Sequence, residues 1–241
     1  SPTQPLRPRL GELGAPDEGT MIAIPAGAFY FGSGADDAQR REFFHTVPIH
    51  RARTGAYRIA RHETRFGEWI QFLESLAPAE RKNFLPRLGK GGFAGALGLR
   101  QLESGRWQLR FKPSGRGFVV AEGEKISYPE RQRRTEQDWL RMPVVGVSLA
   151  DAKRYCRWLD ESGRLPGARL CSEMEWERAA RGVDDRDFPH GRVLAPREAN
   201  FDETYGKRSE AMGPDEVGSY PQSASPYGLL DMAGNVWELC P

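Results

Sequence analysis

Helical periodicity is confined to three short segments of this 241-residue chain, so the fold must be assembled from short helices set among short strands and turns. Between Thr64 and Leu76, the apolar residues Phe66, Trp69, Ile70, Leu73 and Leu76 recur at three- and four-residue steps and make one buried stripe. The second helix is expected from Ser148 to Glu161. Ser148 is its N-cap with Asp151 three residues on, and Ala152, Tyr155, Cys156 and Leu159 form the inner face. The third runs from Ser172 to Arg181, with Ser172 and Glu175 as a capping box and Gly182 as a left-handed stop.

The rest of the chain is punctuated by turns. Residues 1–20, rich in Pro, Gly and charge, read as a linker into a domain that covers residues 21–241. Met21 to Pro25 and Ala28 to Phe31 read as strand, tight turn and strand, with further strands at Thr46 to Ile49 and Tyr57 to Ala60. Residues 78–141 break the rhythm and read as an insertion. They hold a Gly-rich stretch from Gly89 to Gly98, a hairpin of Trp107–Phe111 with Phe118–Ala121, and a charged run from Pro129 to Arg141. In that run Arg131, Arg133, Arg134 and Arg141 are interleaved with Glu130, Glu136 and Asp138, the pattern of a solvated face rather than an anion-binding patch.

Several function classes drop out. With 35 basic and 33 acidic residues, a net charge of +2, bulk electrostatics makes no case for nucleic acid. No stretch approaches the ~18 apolar residues of a membrane helix, so no membrane insertion is expected and the chain reads as soluble, with the cytoplasm favoured among compartments the sequence does not decide between. It opens at Ser1 rather than Met, so a processed product or a piece of something longer is expected. Phosphate-cradling glycine loops, a GxSxG elbow and HExxH are all absent, and His45, His50, His62 and His190 lack metal-ligand spacing. Cys156, Cys171 and Cys240 are odd in number, widely spaced and free of CxxC. They read as free or buried thiols in a reducing compartment rather than a disulfide scaffold or zinc site, with Cys156 packed on its helix stripe.

The informative segment begins at Pro226 and reads Pro-Tyr-Gly-Leu-Leu-Asp-Met-Ala-Gly-Asn-Val-Trp-Glu-Leu-Cys. Asp231 and Glu238 bracket Gly234 and Asn235 on a short turn. Two carboxylates plus carbonyls freed at a glycine suit a hard cation such as Ca²⁺, while acidic residues at strand ends are also common without one.

A wider resemblance bears on this choice. Met21-Ile-Ala-Ile-Pro-Ala-Gly-Ala-Phe-Tyr-Phe-Gly-Ser, Pro143-Val-Val-Gly-Val-Ser, Asp151-Ala152, Tyr155-Cys156, the string Arg169 to Gly182, Ala199-Asn200 and Asp231 to Glu238 follow one another in order. Together they resemble the formylglycine-generating enzyme, or sulfatase-modifying factor, family over most of residues 21–240. The resemblance implies a single α+β domain, C-type-lectin-like, with little regular secondary structure. It implies calcium held by the side chains of Asp231 and Glu238 and the main-chain carbonyls of Gly234 and Val236. A further family calcium site implies Asn200 and the carbonyl of Phe201, although the loop from Thr204 to Glu216 departs from the family pattern there.

Catalysis is where the departure is largest. The family's oxidases bind Cu(I) through two cysteines beyond the stretch matching Val236-Trp237-Glu238, and soft monovalent copper requires such thiolates. The chain stops at Pro241, Cys240 falls outside the catalytic positions, and Cys156 matches a structural one. The C-terminal part of the fold is therefore expected outside this chain, supplied by further polypeptide or by a second fragment. Two functions follow from the resemblance. One is a non-catalytic module that binds a protein or peptide ligand, or regulates, within a larger bacterial protein such as a serine/threonine kinase. The alternative is a copper-dependent oxidase that converts a sulfatase cysteine to formylglycine, with its catalytic cysteines beyond residue 241. Iron-dependent sulfoxide synthases of the same superfamily carry a His-rich helical domain ahead of this one; residues 1–20 show no such pattern, so that function is not expected.

Overall fold

Each capped helix forms where its local chemistry places it. In the computed structural model, which describes residues 20–34, 47–88 and 96–241, α1 spans Phe66–Ser75, a short α2 Pro78–Arg81, α3 Leu149–Glu161 and α4 Glu173–Arg181. The expected linker up to residue 19, His45 and the first part of the Gly-rich stretch lie outside the described residues. Ser148 Oγ accepts from the Asp151 N–H at 3.1 Å while the Asp151 carboxylate accepts from the Ser148 N–H at 3.0 Å. Ser172 and Glu175 repeat the exchange at the head of α4. That helix ends at Gly182 with φ +80° and ψ −133°, a positive-φ extended conformation open to glycine and distinct from the left-handed helical stop expected.

The first strands are β1 Met21–Ile24, β2 Gly27–Phe31, β3 His50–Thr54 and β4 Tyr57–Ala60. Across the Pro25–Ala26 turn, β1 and β2 do not pair with each other; β1 pairs antiparallel with β4 and β2 with β3. The strand expected at Thr46 to Ile49 is displaced to His50–Thr54. Its register is set by pairing, Phe31 opposite His50 and Gly27 opposite Thr54, while the apolar Val47 and Ile49 that suggested it are exposed. The expected hairpin is the last pair of a larger antiparallel meander of β5 Arg87–Leu88, β6 Ala96–Gln101, β7 Trp107–Lys112 and β8 Phe118–Ala121. A two-stranded ladder of β9 Ile126–Ser127 and β10 Glu136–Gln137 follows.

Alternation along β7 turns Trp107, Leu109 and Phe111 inward, where they meet the stripe of α1 and the inner face of α3 in the main core. Trp69 stacks on Tyr155 with ring centroids 5.3 Å apart, so residues 78–141 share one core with the capped helices. A second, smaller core forms from Ile24, Ala179, Ala180, Leu229 and Met232. Its helix, α4, is fastened to the first strands by polar ties. Buried Arg178 donates to Gly27 O and Thr54 Oγ1, and Glu177 and Arg181 take the N–H and carbonyl of Gly32 at 2.8 and 2.9 Å. Leu229 and Met232 flank Asp231, so this core also anchors the C-terminal turn.

The charged run is a solvated face only in part: Glu130, Glu136 and Arg141 are exposed, but the other arginines are drawn inward. Arg131 has no exposed side-chain surface; its Nη1 meets Asp215 Oδ1 at 2.6 Å, and Nε and Nη2 donate to the carbonyls of Ala211 and Gly213 at 2.7 Å each. Its guanidinium lies 3.6 Å from the Tyr128 ring centre and 3.9 Å from that of Tyr205. Asp215 Oδ2 accepts from the hydroxyls of Tyr205 and Tyr220 at 2.7 and 2.6 Å. Arg134 donates to Ser219 O and covers Tyr220, Arg133 reaches Pro196 O, and Arg141 pairs with Glu216 at 3.0 Å. The interleaved acids suggested a solvated face, but Arg131, Arg133, Arg134 and Arg141 reach partners some 60 to 85 residues away. Arg131→Ala, which strands a buried carboxylate, is expected to cost about 3–5 kcal/mol in urea denaturation. Arg131→Lys will recover little of it, because an ammonium can neither fork to three acceptors nor stack between two rings.

Candidate functional site

The turn from Asp231 to Glu238 is shaped by two non-glycine residues in the left-handed region, Asp231 at φ +58° and Asn235 at φ +64°. Asp and Asn bear that conformation better than most residues because their short polar side chains bond locally. Between them Gly234, at φ +79°, lies so close to the neighbouring strand segment that a Cβ would sit 2.4 Å from Asn200 O. That approach is a parallel bridge, Asn200 to Gly234, completed by the Asn235 N–H donating to Asn200 O at 2.8 Å.

Asn235 is the hub of the site. Its Oδ1 accepts from the Asp215 N–H at 2.9 Å and from Asn200 Nδ2 at 3.3 Å, and its Nδ2 donates to Glu63 Oε1 at 3.1 Å. Asn200 Nδ2 also donates to Gly213 O at 2.8 Å. One polar chain thus runs from the Arg131–Asp215 pair through Asn235 to Glu63.

Around Glu63 negative charge gathers. Burial, with Asp231 and Glu238 nearby, holds the Glu63 carboxyl well above the ordinary range. Burial likewise raises Asp231, partly offset by the Gly218 N–H that donates to its Oδ2 and by Glu63. Glu238 is pushed up to about 7 by its crowded surroundings, although the residue as a whole is exposed; the Trp176 indole N–H faces it without closing a full hydrogen bond. Glu63 Oε2 is buried with no hydrogen-bond partner. Such a donor set needs protons or a cation.

Of the sequence-derived candidates, the structure brings Asp231 and Glu238 within electrostatic reach on the same turn as Gly234 and Val236. The Gly234 carbonyl accepts from the Val236 N–H at 2.9 Å. Asn200 serves as the frame described above, and Phe201 O accepts from the Thr204 N–H at 3.1 Å. Among the described residues no three His, Cys, Asp or Glu side chains form a ready metal cluster; the expected ligand set has two carboxylates and two main-chain carbonyls. Sequence reasoning missed Glu63 and Asp215, which lie far from the motif in the chain, and left Asn235 without a role although it sits inside the motif. The described histidines make local contacts: His50 Nδ1 to Pro48 O, His62 Nδ1 to Glu63 O, and His190 Nε2 to Glu198 at 3.0 Å.

The raised carboxyls set a pH dependence. Because the folded state holds protons on Glu63, Asp231 and Glu238 that the unfolded chain releases near 3.8 for the aspartate and 4.5 for the glutamates, metal-free stability falls as pH rises from about 4 toward 7. Glu175, held near 2 by Arg169, works the other way: its contribution is present above pH 4.5 and fades as pH drops toward 2. Urea midpoints in chelator should be lower at pH 7.5 than at pH 5, and Glu238→Gln should flatten that difference.

The described residues contain no helix long and apolar enough to cross a membrane. A family model described as a sulfatase-modifying factor enzyme 1-like domain matches residues 9–241. The chain is 30% identical over 221 residues to the serine/threonine-protein kinase Pkn1 of Chlamydia trachomatis, which covers 91% of this chain and 27% of the kinase. To the formylglycine-generating enzyme of Thermomonospora curvata it is 27% identical over 227 residues, 91% of this chain and 70% of that enzyme. To the inactive C-alpha-formylglycine-generating enzyme 2 of Bos taurus it is 38% identical over 104 residues, 41% of this chain and 32% of that protein. It therefore spans little more than a quarter of the kinase's length. With nearly its whole length matched and its α+β architecture of small sheets and short helices, the chain belongs to the sulfatase-modifying factor enzyme 1-like family.

Proposed function

We propose that this chain is a non-catalytic binding or regulatory module, of the C-type-lectin-like type, within a larger bacterial protein such as a cytoplasmic serine/threonine kinase. The observation that carries this reading is the match to Pkn1, in which a region like this one makes up 27% of the kinase. The match to an inactive relative supports a non-catalytic use of the fold. A protein or peptide ligand is favoured by Trp237, 94% exposed beside the half-exposed Leu239, a pairing that another polypeptide, a completing second fragment included, would cover. The second reading, a copper-dependent formylglycine-generating oxidase with its cysteines beyond residue 241, is favoured by the matches to the formylglycine-generating enzymes. Incubating the natively expressed parent protein with copper and a cysteine-containing sulfatase peptide separates the two. No aldehyde product is expected; turnover above the protein-free control would install the oxidase.

The same proposal places Ca²⁺ at Asp231, Gly234, Val236 and Glu238, two side chains and two main-chain carbonyls, all hard oxygen donors. Its support is the buried, partnerless Glu63 Oε2 beside carboxyls that repel one another, a deficit of positive charge that a divalent ion would fill. Calcium at about 100 times its Kd should raise Tm by about 5–10 °C at pH 7.5. The gain should shrink at pH 5, where protons compete, and vanish in Asp231→Ala and Glu238→Ala. An identical Tm in calcium and in chelator would overturn the site. Titration calorimetry counts the ions: two per chain, falling to one in Asn200→Ala, would assign the second to Asn200 and Phe201.

A further inference from the structure

The fold brings together two thiols that lie 69 residues apart in sequence. Cys171 immediately precedes Ser172, the N-cap of α4, and its Sγ lies within hydrogen-bonding reach of the Cys240 thiol. Both residues are half-buried and reduced, so a small solute can reach them. Cys240 belongs to a segment without regular secondary structure, residues 236–241, in which Trp237 and Leu239 are exposed. A backbone so lightly held can adjust to the narrow geometry a sulfur–sulfur bond demands. Cys171, by contrast, is anchored by the capping box that follows it and by Arg169, which pairs with Glu175 at 2.6 Å.

We infer that Cys171 and Cys240 form a reversible disulfide that fastens the C-terminal segment to the start of α4. The oxidant is a low-molecular-weight disulfide. One cysteine thiolate attacks a sulfur of that disulfide, forming a mixed disulfide and expelling the first small thiolate. The second cysteine thiolate then attacks the protein-side sulfur and expels the other. The two protons lost by the cysteines end on the two small thiols, and two electrons pass from the cysteines to the oxidant. The closed loop contains α4, Asn200 and the whole Asp231–Glu238 turn, so the bond restricts the unfolded chain over the region with the least regular structure. This inference is independent of the calcium and binding-module readings.

The test uses the full chain, reduced, freed of reductant and equilibrated with glutathione disulfide, then alkylated and digested without reduction. Mass spectrometry should find one cross-linked peptide pair joining Cys171 and Cys240, lighter than its parts by two hydrogen atoms, with Cys156 alkylated. The oxidised protein should melt about 4–16 °C above the reduced form. The shift should disappear in Cys171→Ser and in Cys240→Ser and persist in Cys156→Ser. If a chain shown by circular dichroism to be folded keeps both cysteines alkylatable, or carries them only as separate glutathione adducts, the inference fails. A cross-link without a gain in Tm would overturn the fastening role.

Discussion

A guanidinium with no exposed atom is among the costliest groups a protein can bury, and Arg131 cannot shed its charge to escape the cost. Its surroundings supply what water would: a carboxylate, two carbonyls and two aromatic faces. Because the acceptors lie between Ala211 and Asp215 and the arginine on the strand-rich segment, this pair, with Arg134 on Ser219 and Arg141 on Glu216, seats the last fifth of the chain on the main core. That last fifth has little regular secondary structure to order it. From Asn200 onward the structure offers short 3₁₀ turns and isolated bridges in place of ladders.

From the pair, order is passed on side chain by side chain. Asp215 uses its carboxylate for Arg131 and its main-chain N–H for Asn235, and Asn235 in turn reaches Glu63. The left-handed conformations at Asp231 and Asn235 carry a backbone cost that these contacts and the Leu229–Met232 anchorage offset. Strain and buried like charge on this turn coincide with the partnerless Glu63 oxygen beside it. Such a departure from local rules is where a folded chain most often keeps its function.

What the sequence could show follows from how far each interaction reaches. The capping boxes Ser148–Asp151 and Ser172–Glu175 and the α1 stripe span three or four residues, and all were legible. So was the β7–β8 hairpin, whose partners are close in the chain. The pairing of β1 with β4 was hidden because proline turns suggest neighbours. The β3 strand was hidden because its exposed, arginine-bearing sequence has no apolar alternation to betray it. Arg131, Glu63 and the Cys171–Cys240 contact draw on partners tens to more than a hundred residues away, and no local pattern marks such a residue as buried or paired. The Asp231–Glu238 motif was legible through resemblance; its electrostatic predicament became visible only with Glu63 in place.

Three features converge on residues 231–240: a turn that concentrates negative charge, a thiol beside its partner just ahead of α4, and an exposed tryptophan. A cation at the turn would relieve repulsion, a disulfide would limit where Cys240 can go, and a partner over Trp237 would bury the residue between them. Each acts on a segment whose position depends on side-chain ties, so each changes the same local opening equilibrium. Ligands that stabilise one shared conformation must favour one another, by equal factors in both directions. The segment's scarcity of ladders is therefore what would let the proposed ion, disulfide and partner act on one equilibrium; a rigid sheet in its place would already hold the turn and leave them nothing to bias.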